Sequence, residues 1–421
     1  MSTKPFCGLD FGTSNSTLGL IDNGKARLVE LEGDEVTLPS TLFFDFEEHS
    51  THFGRDAIAT YMEGGEGRMM RALKSILGSP TIHETTMIGN ERMPFTAVLG
   101  LFLSRMKRSA EAEIDKEIDH VVMGRPVHFV DDNPDSDREA EETLRMIAQE
   151  TGFSRIEFEF EPVAAARDFQ QTVNSEEIAL IIDIGGGTSD FTILKVGAGS
   201  LGQSSQDSKD AILANTGVHV GGTDFDRWLS LARVMPFFGY RSPMLKAGRL
   251  MPVGYYHDLA TWQKINFLYD HKTKTDLRYL RREAKEPHLI DRLLHLLELR
   301  EGHRLALGVE ACKVALSELL KASLPLDFVE KDLEAEMSRD DLIEALQDGT
   351  KRIQNTISEG LKKAGLKGSD ITAVFLTGGS TKVPYIRTSL TGMVPNARVI
   401  DGDAFGSVGI GLALEARRRF A

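Results

Sequence analysis

The sequence predicts an α/β protein of two related lobes facing one ligand, and three observations carry that prediction. An aspartate closes a short apolar run and leads a turn of small residues at Asp10-Phe11-Gly12-Thr13-Ser14-Asn15. The same arrangement returns at Asp183-Ile184-Gly185-Gly186-Gly187-Thr188, again between two apolar runs. A third run, starting at Ala373, opens onto Thr377-Gly378-Gly379-Ser380-Thr381. One such turn alone reads as an ordinary tight hairpin. Three at strand ends, two of them led by aspartate, point to a shared task.

The elements follow in order. Residues 6–9 and 16–21 read as strands, with Asp22-Asn23-Gly24 as a hairpin turn before a third strand over 26–31. Leu38-Pro39-Ser40 opens an extended run over 41–46, and 55–110 reads as largely helical, broken at Gly78-Ser79-Pro80. A short buried strand over 120–123 precedes a helix over 138–151, with Leu144, Ile147 and Ala148 on one face. Strands over 179–184 and 191–196 flank the second aspartate turn, and 201–209 reads as an exposed loop. Helices over 224–235, stopped at Pro236, and over 305–322 bracket the weakly patterned segment 241–304. A strand and loop near Pro325 lead to a long amphipathic helix over 340–364, and 408–420 closes the chain as a helix.

Composition narrows the class. The chain has 421 residues, more than one typical core holds, with 41% hydrophobic and 27% charged residues. The net charge of −14 weighs against nucleic-acid and anionic-membrane partners, which need a positive surface field. No apolar run is long enough to span a membrane, and Asp10 interrupts any signal-peptide core. Two cysteines, Cys7 and Cys312, cannot build a disulfide framework. A cytoplasmic monomer is expected.

Small residues after a strand-end aspartate let backbone N–H groups approach phosphate oxygens closely. The aspartate can hold a magnesium ion, usually through water. Two facing turns of this kind suit phosphoryl transfer, where catalysis is mostly positioning and charge neutralisation. Glu310, Lys313 and Ser317 share one helix face. Taken alone, Lys74 reads as a solvated helix lysine and Glu161, before Pro162, as a turn carboxylate.

These motifs resemble the actin-like ATPase domain of the DnaK family, the seventy-kilodalton heat-shock chaperones, and within it the YegD-type proteins that lack the peptide-binding half. The resemblance rests on Gly8–Ser16, Asp183–Asp190, the Glu161-Pro162-Val163-Ala164-Ala165-Ala166 motif, Leu376–Pro384 and the Gly-Gly-x-Asp-Phe-Asp pattern ending at Asp226. It implies an actin-like fold: two lobes, each on a ribonuclease H-like mixed sheet with a peripheral subdomain, and nucleotide in the central cleft. Lobe I would be 1–174 plus 396–421, with 39–96 peripheral; lobe II would be 175–395, with 223–339 peripheral. No C-terminal peptide-binding domain is expected.

By the same resemblance, Lys74, Glu161, Asp183 and Thr188 would be catalytic, and Asp10, Asp183 and Asp190 would hold magnesium and neighbouring monovalent cations. Gly12, Thr13, Ser14, Gly185, Gly186, Gly187, Gly221 and Gly222 would surround the phosphates of ATP or ADP. Glu310, Lys313, Ser317, Gly378, Gly379, Ser380, Lys382 and Asp403 would contact adenosine. Val314 and Lys382 stand where the family has arginines that sandwich the base, so stacking should weaken. Implied partners are unfolded polypeptide, a co-chaperone or an exchange factor. Rival readings on the same fold are a sugar-type kinase, a filament former or scaffold, and a sensor without turnover.

Two patterns receive a plainer reading. Asp131, Asn133, Asp135, Asp137 and Glu142 have calcium-loop spacing, but Ser136 replaces the needed glycine, so they read as an acidic helix cap. Segment 241–304, with thirteen Lys/Arg against eight Asp/Glu, reads as a peripheral subdomain with its own small core, or as a docking surface.

Overall fold

A computed structural model of the chain describes residues 4–131, 133–170, 176–197, 211–402 and 406–421. It divides into two units, one of residues 1–221, 351–381 and 386–421, the other of 222–350 and 382–385.

The first unit contains two five-membered strand paths with the same logic. In one, Phe6–Asp10 lies between Asn15–Asp22 (antiparallel) and His120–Arg125 (parallel), with Lys25–Leu28 and Arg155–Phe160 at the edges. In the other, Glu177–Ile184 lies between Ser189–Val196 (antiparallel) and Ala373–Thr377 (parallel), with Ile212–Val218 and Arg398–Asp401 at the edges. The duplication read from the two aspartate turns therefore extends to whole sheets. Each turn joins the central strand to its antiparallel neighbour, so Asp10 and Asp183 occupy equivalent strand ends.

Helices Glu161–Gln170 and Ser407–Phe420 pack here through small residues. A Cβ on Gly411 would lie 1.8 Å from the Ala164 carbonyl oxygen, and one on Gly8 would lie 2.3 Å from the Ala413 nitrogen. Only glycine permits such approach. Ala164, Ala165, Ala166, Leu412 and Ala416 join Ile181 and Leu194 in the core beneath. A larger core gathers Leu9, Leu18 and Met123 with Phe102, Leu144 and Ile147 from helices Phe95–Ile114 and Pro134–Glu150.

Several expectations need correction. Residues 55–110 are not mostly helical. Between helices Gly54–Met62 and Phe95–Ile114, Gly67–Arg71 is a strand pairing antiparallel with Thr41–Asp45, and Thr85–Ile88 with Glu91–Pro94 forms a hairpin turning at Gly89 (φ 57°). Distant pairing overrides local helical preference there. The helix expected from residue 138 starts at Pro134, because the Asn133 side chain accepts the Ser136 N–H (3.2 Å) and proline suits the first turn. Asp135 and Asp137 fall in that first turn, as the acidic-cap reading requires.

Glu161 opens a helix rather than a turn, after the strand Arg155–Phe160 that the sequence reading omitted; Ile212–Val218 was likewise omitted. The third strand is shorter than expected, ending at Leu28, while its hairpin turn has Asn23 and Gly24 at φ 48° and 78°. The expected loop 201–209 lies outside the described residues.

In the second unit, helix Gly222–Leu229 widens into a π turn over Ser230–Val234 and tightens over Met235–Phe238, the segment that contains Pro236. Proline cannot continue the helical hydrogen-bond ladder. Helix Gly302–Glu318 ends sooner than expected, and Lys321–Pro325 pairs antiparallel with Glu334–Ser338. Helices His271–Glu283 and Pro287–Glu298 give 241–304 its own core, where Ile290, Leu293, Leu294 and Leu297 are buried.

Candidate active site

The two aspartate turns meet. A Cβ on Gly186 would lie 2.2 Å from Ser14 Oγ and 3.1 Å from the Ser14 nitrogen, and one on Gly187 would lie 2.8 Å from Thr13 Oγ1. A side chain at either position would press on the first turn, at Gly186 on both the side chain and the backbone of Ser14 and at Gly187 on the side chain of Thr13. Gly221 closes on the same place, its Cβ position 2.6 Å from Gly186 carbon and Gly187 nitrogen. The third turn joins from the neighbouring strand. Gly378 adopts φ 79° beside Ile184, and Ser380 Oγ donates to the Gly185 carbonyl (3.2 Å). From the other sheet, Ser40 Oγ donates to the Gly12 carbonyl (2.7 Å).

Lys74 is the largest departure from a reading of isolated residues. It follows Ala72, which takes the left-handed conformation (φ 56°), in the short 3-10 helix Leu73–Ile76. Its side chain is 7% exposed and its Nζ donates to Glu161 Oε1 at 2.5 Å. Glu161 reaches it from the first turn of its helix. A buried, charge-assisted pair of this kind fixes both groups.

Around that pair stand three aspartates, Asp183 and Asp190 buried and Asp10 half-buried. Burial, reinforced by the Glu161 charge and opposed by Lys74, pushes Asp10 up to about 7. Asp190 is pushed up to about 7 by burial and Glu161, although the Val127 N–H (2.7 Å) and Thr188 hydroxyl donate to it and Lys74 opposes the rise. Asp183 is raised by burial and by the charges of Glu161, Asp190 and Asp10, with Lys74 again opposing. Lys74 is held above its ordinary value: burial works against the charge, but Glu161, Asp10 and Asp190 outweigh it. The cluster thus contains more buried negative charge than its one lysine offsets.

The three aspartates do not close to the mutual spacing of a direct three-ligand cage; among the described residues that spacing occurs at Asp45, Glu48 and His52. There both imidazole nitrogens already face Ser50 and Asp56. Magnesium commonly keeps several of its waters, so separated carboxylates with uncompensated charge fit a hydrated ion.

The remaining expected residues fall as follows. In the second unit, Lys313 is buried and pairs with Asp226 (Nζ–Oδ1 2.8 Å), also donating to the Gly222 carbonyl (3.3 Å). Ser317 and Glu310 are half-buried on the same helix, Val314 is 60% exposed and Lys382 is exposed. Asp403 lies outside the described residues.

Two positions escaped the sequence reading. Gly217 leaves room for Asp190, since a Cβ there would lie 2.7 Å from Oδ1, and Gly124 does the same for Glu161 (3.1 Å to Cγ). A glycine inside an apolar strand was the available signal.

The sequence matches the family described as Hsp70 protein over residues 69–235 and 270–417. The chain belongs to the Hsp70 family. Its fold is therefore the actin-like ATPase fold, here a mixed α/β arrangement. It is 26% identical to the chaperone protein DnaK of Thermus thermophilus, over 97% of this chain and 60% of that protein. Against the chaperone protein DnaK of Metamycoplasma hominis the identity is 25%, over 97% of this chain and 58% of that protein. The chain thus spans about 60% of the length of the curated relatives it matches. Among the described residues no helix is long and apolar enough to cross a membrane.

Proposed function

We propose that this Hsp70-family chain binds ATP and ADP at the turns following Asp10 and Asp183, hydrolyses ATP with magnesium, and acts as a chaperone-like conformational switch. The observation that carries the reading is the buried Lys74–Glu161 pair among Asp10, Asp183 and Asp190, beside turns where Gly12, Gly186, Gly221 and Gly378 leave no room for a side chain. Backbone N–H groups of Gly12–Ser14 and Gly185–Gly187 bind phosphate oxygens. Lys74, held by Glu161, directs its positive charge at the terminal phosphate. Glu161 orders the attacking water, and Thr188 fixes Asp190 and touches the same phosphate. Asp10, Asp183 and Asp190 would hold the hydrated magnesium, which when bound neutralises charge developing on the transferring group. A monovalent cation beside Asp190 belongs to the same reading.

The adenosine roles of Glu310, Lys313, Ser317, Gly378, Gly379, Ser380, Lys382 and Asp403 are part of this proposal, as is the two-lobe division. So are a cytoplasmic location, a monomeric state, and unfolded polypeptide, a co-chaperone or an exchange factor as partners. Single-turnover hydrolysis of radiolabelled ATP tests the core of it. Turnover should need magnesium, vanish with EDTA, and fall on the order of a hundredfold or more in Lys74→Ala. Undiminished turnover in that variant would remove Lys74 from the chemistry.

A further inference from the structure

The second unit carries an exposed hairpin that nucleotide chemistry leaves unused. Pro243 pairs with Leu250, and Met244 pairs with Ala284. The Leu245 N–H donates to the Glu283 carbonyl (2.7 Å) and the Lys285 N–H to the Pro243 carbonyl (3.1 Å). The hairpin turns at Gly248 (φ 76°). It is therefore pinned at its base by backbone bonds, while its tip points side chains outward.

Those side chains combine two features. Leu245 and Leu250 are 60% and 56% exposed, among the largest exposures of any apolar residue described. Between them Lys246 and Arg249 are exposed, Lys285 stands exposed beside the base, and none of the three has an ion pair among the described residues. Across 236–269 there are four Lys/Arg (Arg241, Lys246, Arg249, Lys264) and one acid, Asp258, whereas the whole chain has 49 Lys/Arg and 63 Asp/Glu. This same stretch falls between the two segments matched to the Hsp70 family, 69–235 and 270–417. Ordered, exposed leucines flanked by unpaired cations mark an interaction surface rather than a solvated tip.

We propose that this hairpin docks a partner protein presenting an acidic segment with apolar side chains. Charge complementarity selects the partner: the leucines supply the contact area and the cations exclude basic or neutral competitors. An anionic bilayer fits less well, since a face-on approach brings a chain of net charge −14 against like charge. Nucleic acid fits less well because leucines interrupt the cations.

The test uses the full chain and a fluorescein-labelled synthetic peptide of glutamate and leucine. Control probes are the same peptide with serine for leucine, the same peptide with lysine for glutamate, and phosphatidylserine/phosphatidylcholine vesicles. Fluorescence anisotropy should show saturable binding of the glutamate–leucine peptide alone, weakened about tenfold or more by Lys246→Glu/Arg249→Glu and by Leu245→Ser/Leu250→Ser. Circular dichroism and ATP turnover should be unchanged in both variants, which separates loss of docking from loss of fold and from failure of the nucleotide reading. Absent binding, binding indifferent to both variants, or preferential binding to vesicles would each overturn the proposal.

Discussion

Two buried charge clusters in the first unit solve opposite problems. At the candidate site three aspartates and Glu161 face one lysine, and Asp10 and Asp190 are pushed up to about 7. Near the C-terminus Glu415 is fully buried and faces three arginines: Arg167 Nε at 2.5 Å, Arg419 Nε at 2.7 Å and Arg418 Nε at 3.0 Å. Burial would raise Glu415 too, but hydrogen bonds from Arg418 and the charges of Arg167 and Arg419 override it and hold it at about 2. Burial is common to both, so the difference lies in the counter-charge. The arginine cluster supplies Glu415 with its counter-charge from within the chain and ties helices Glu161–Gln170 and Ser407–Phe420 together. The aspartate cluster is incomplete, as expected of a place that receives a cation from outside.

The comparison can be broken most forcefully at the arginine cluster. Glu415→Ala leaves three arginines without their shared partner and should cost about 3–5 kcal/mol in urea denaturation. A loss near zero would make the cluster decorative. The pH dependence is slightly smaller and has opposite signs in the two regions. Glu415, depressed from 4.5 to about 2, contributes stability that is present above pH 4.5 and lost as pH falls toward 2, about 3 kcal/mol in all. Asp10 and Asp190, raised from 3.8, contribute stability that is present below 3.8 and lost as pH rises through 7. Ligand-free protein should therefore lose stability at both ends of a pH series, and magnesium-ATP should flatten only the upper limb. The smallest effect belongs to Gly217→Ala. Its methyl would press on Asp190 Oδ1, which the Val127 N–H holds in place. Turnover should fall about tenfold while stability falls about 1–3 kcal/mol. Unchanged turnover would show that the placement of Asp190 is not critical.

Much of this was legible in the chain. The strands before and after Asp10 and Asp183 were readable because short apolar runs stop at glycine-rich turns, and the third turn at Gly378 likewise. What was not legible depended on distant partners. Lys74 looks solvated until Glu161, 87 positions away, is brought against it. Gly67–Arg71 forms a strand because Thr41–Asp45 lies beside it, and no local pattern reports that. Arg155–Phe160 could have been read, since Arg-Ile-Glu-Phe-Glu-Phe alternates with the period of a strand. Glu415 lies in a helix whose surface pattern suggests an ordinary solvated glutamate, and only the fold gathers its three arginines.

The claim that the aspartate cluster awaits a cation is tested most directly by thermal melting of wild type and Asp183→Asn, each with and without magnesium-ATP. Removing one of the mutually repelling carboxylates should raise the melting temperature of the ligand-free protein and abolish the rise that magnesium-ATP gives the wild type. A variant that melts lower than wild type yet keeps the full magnesium-ATP shift would contradict the account.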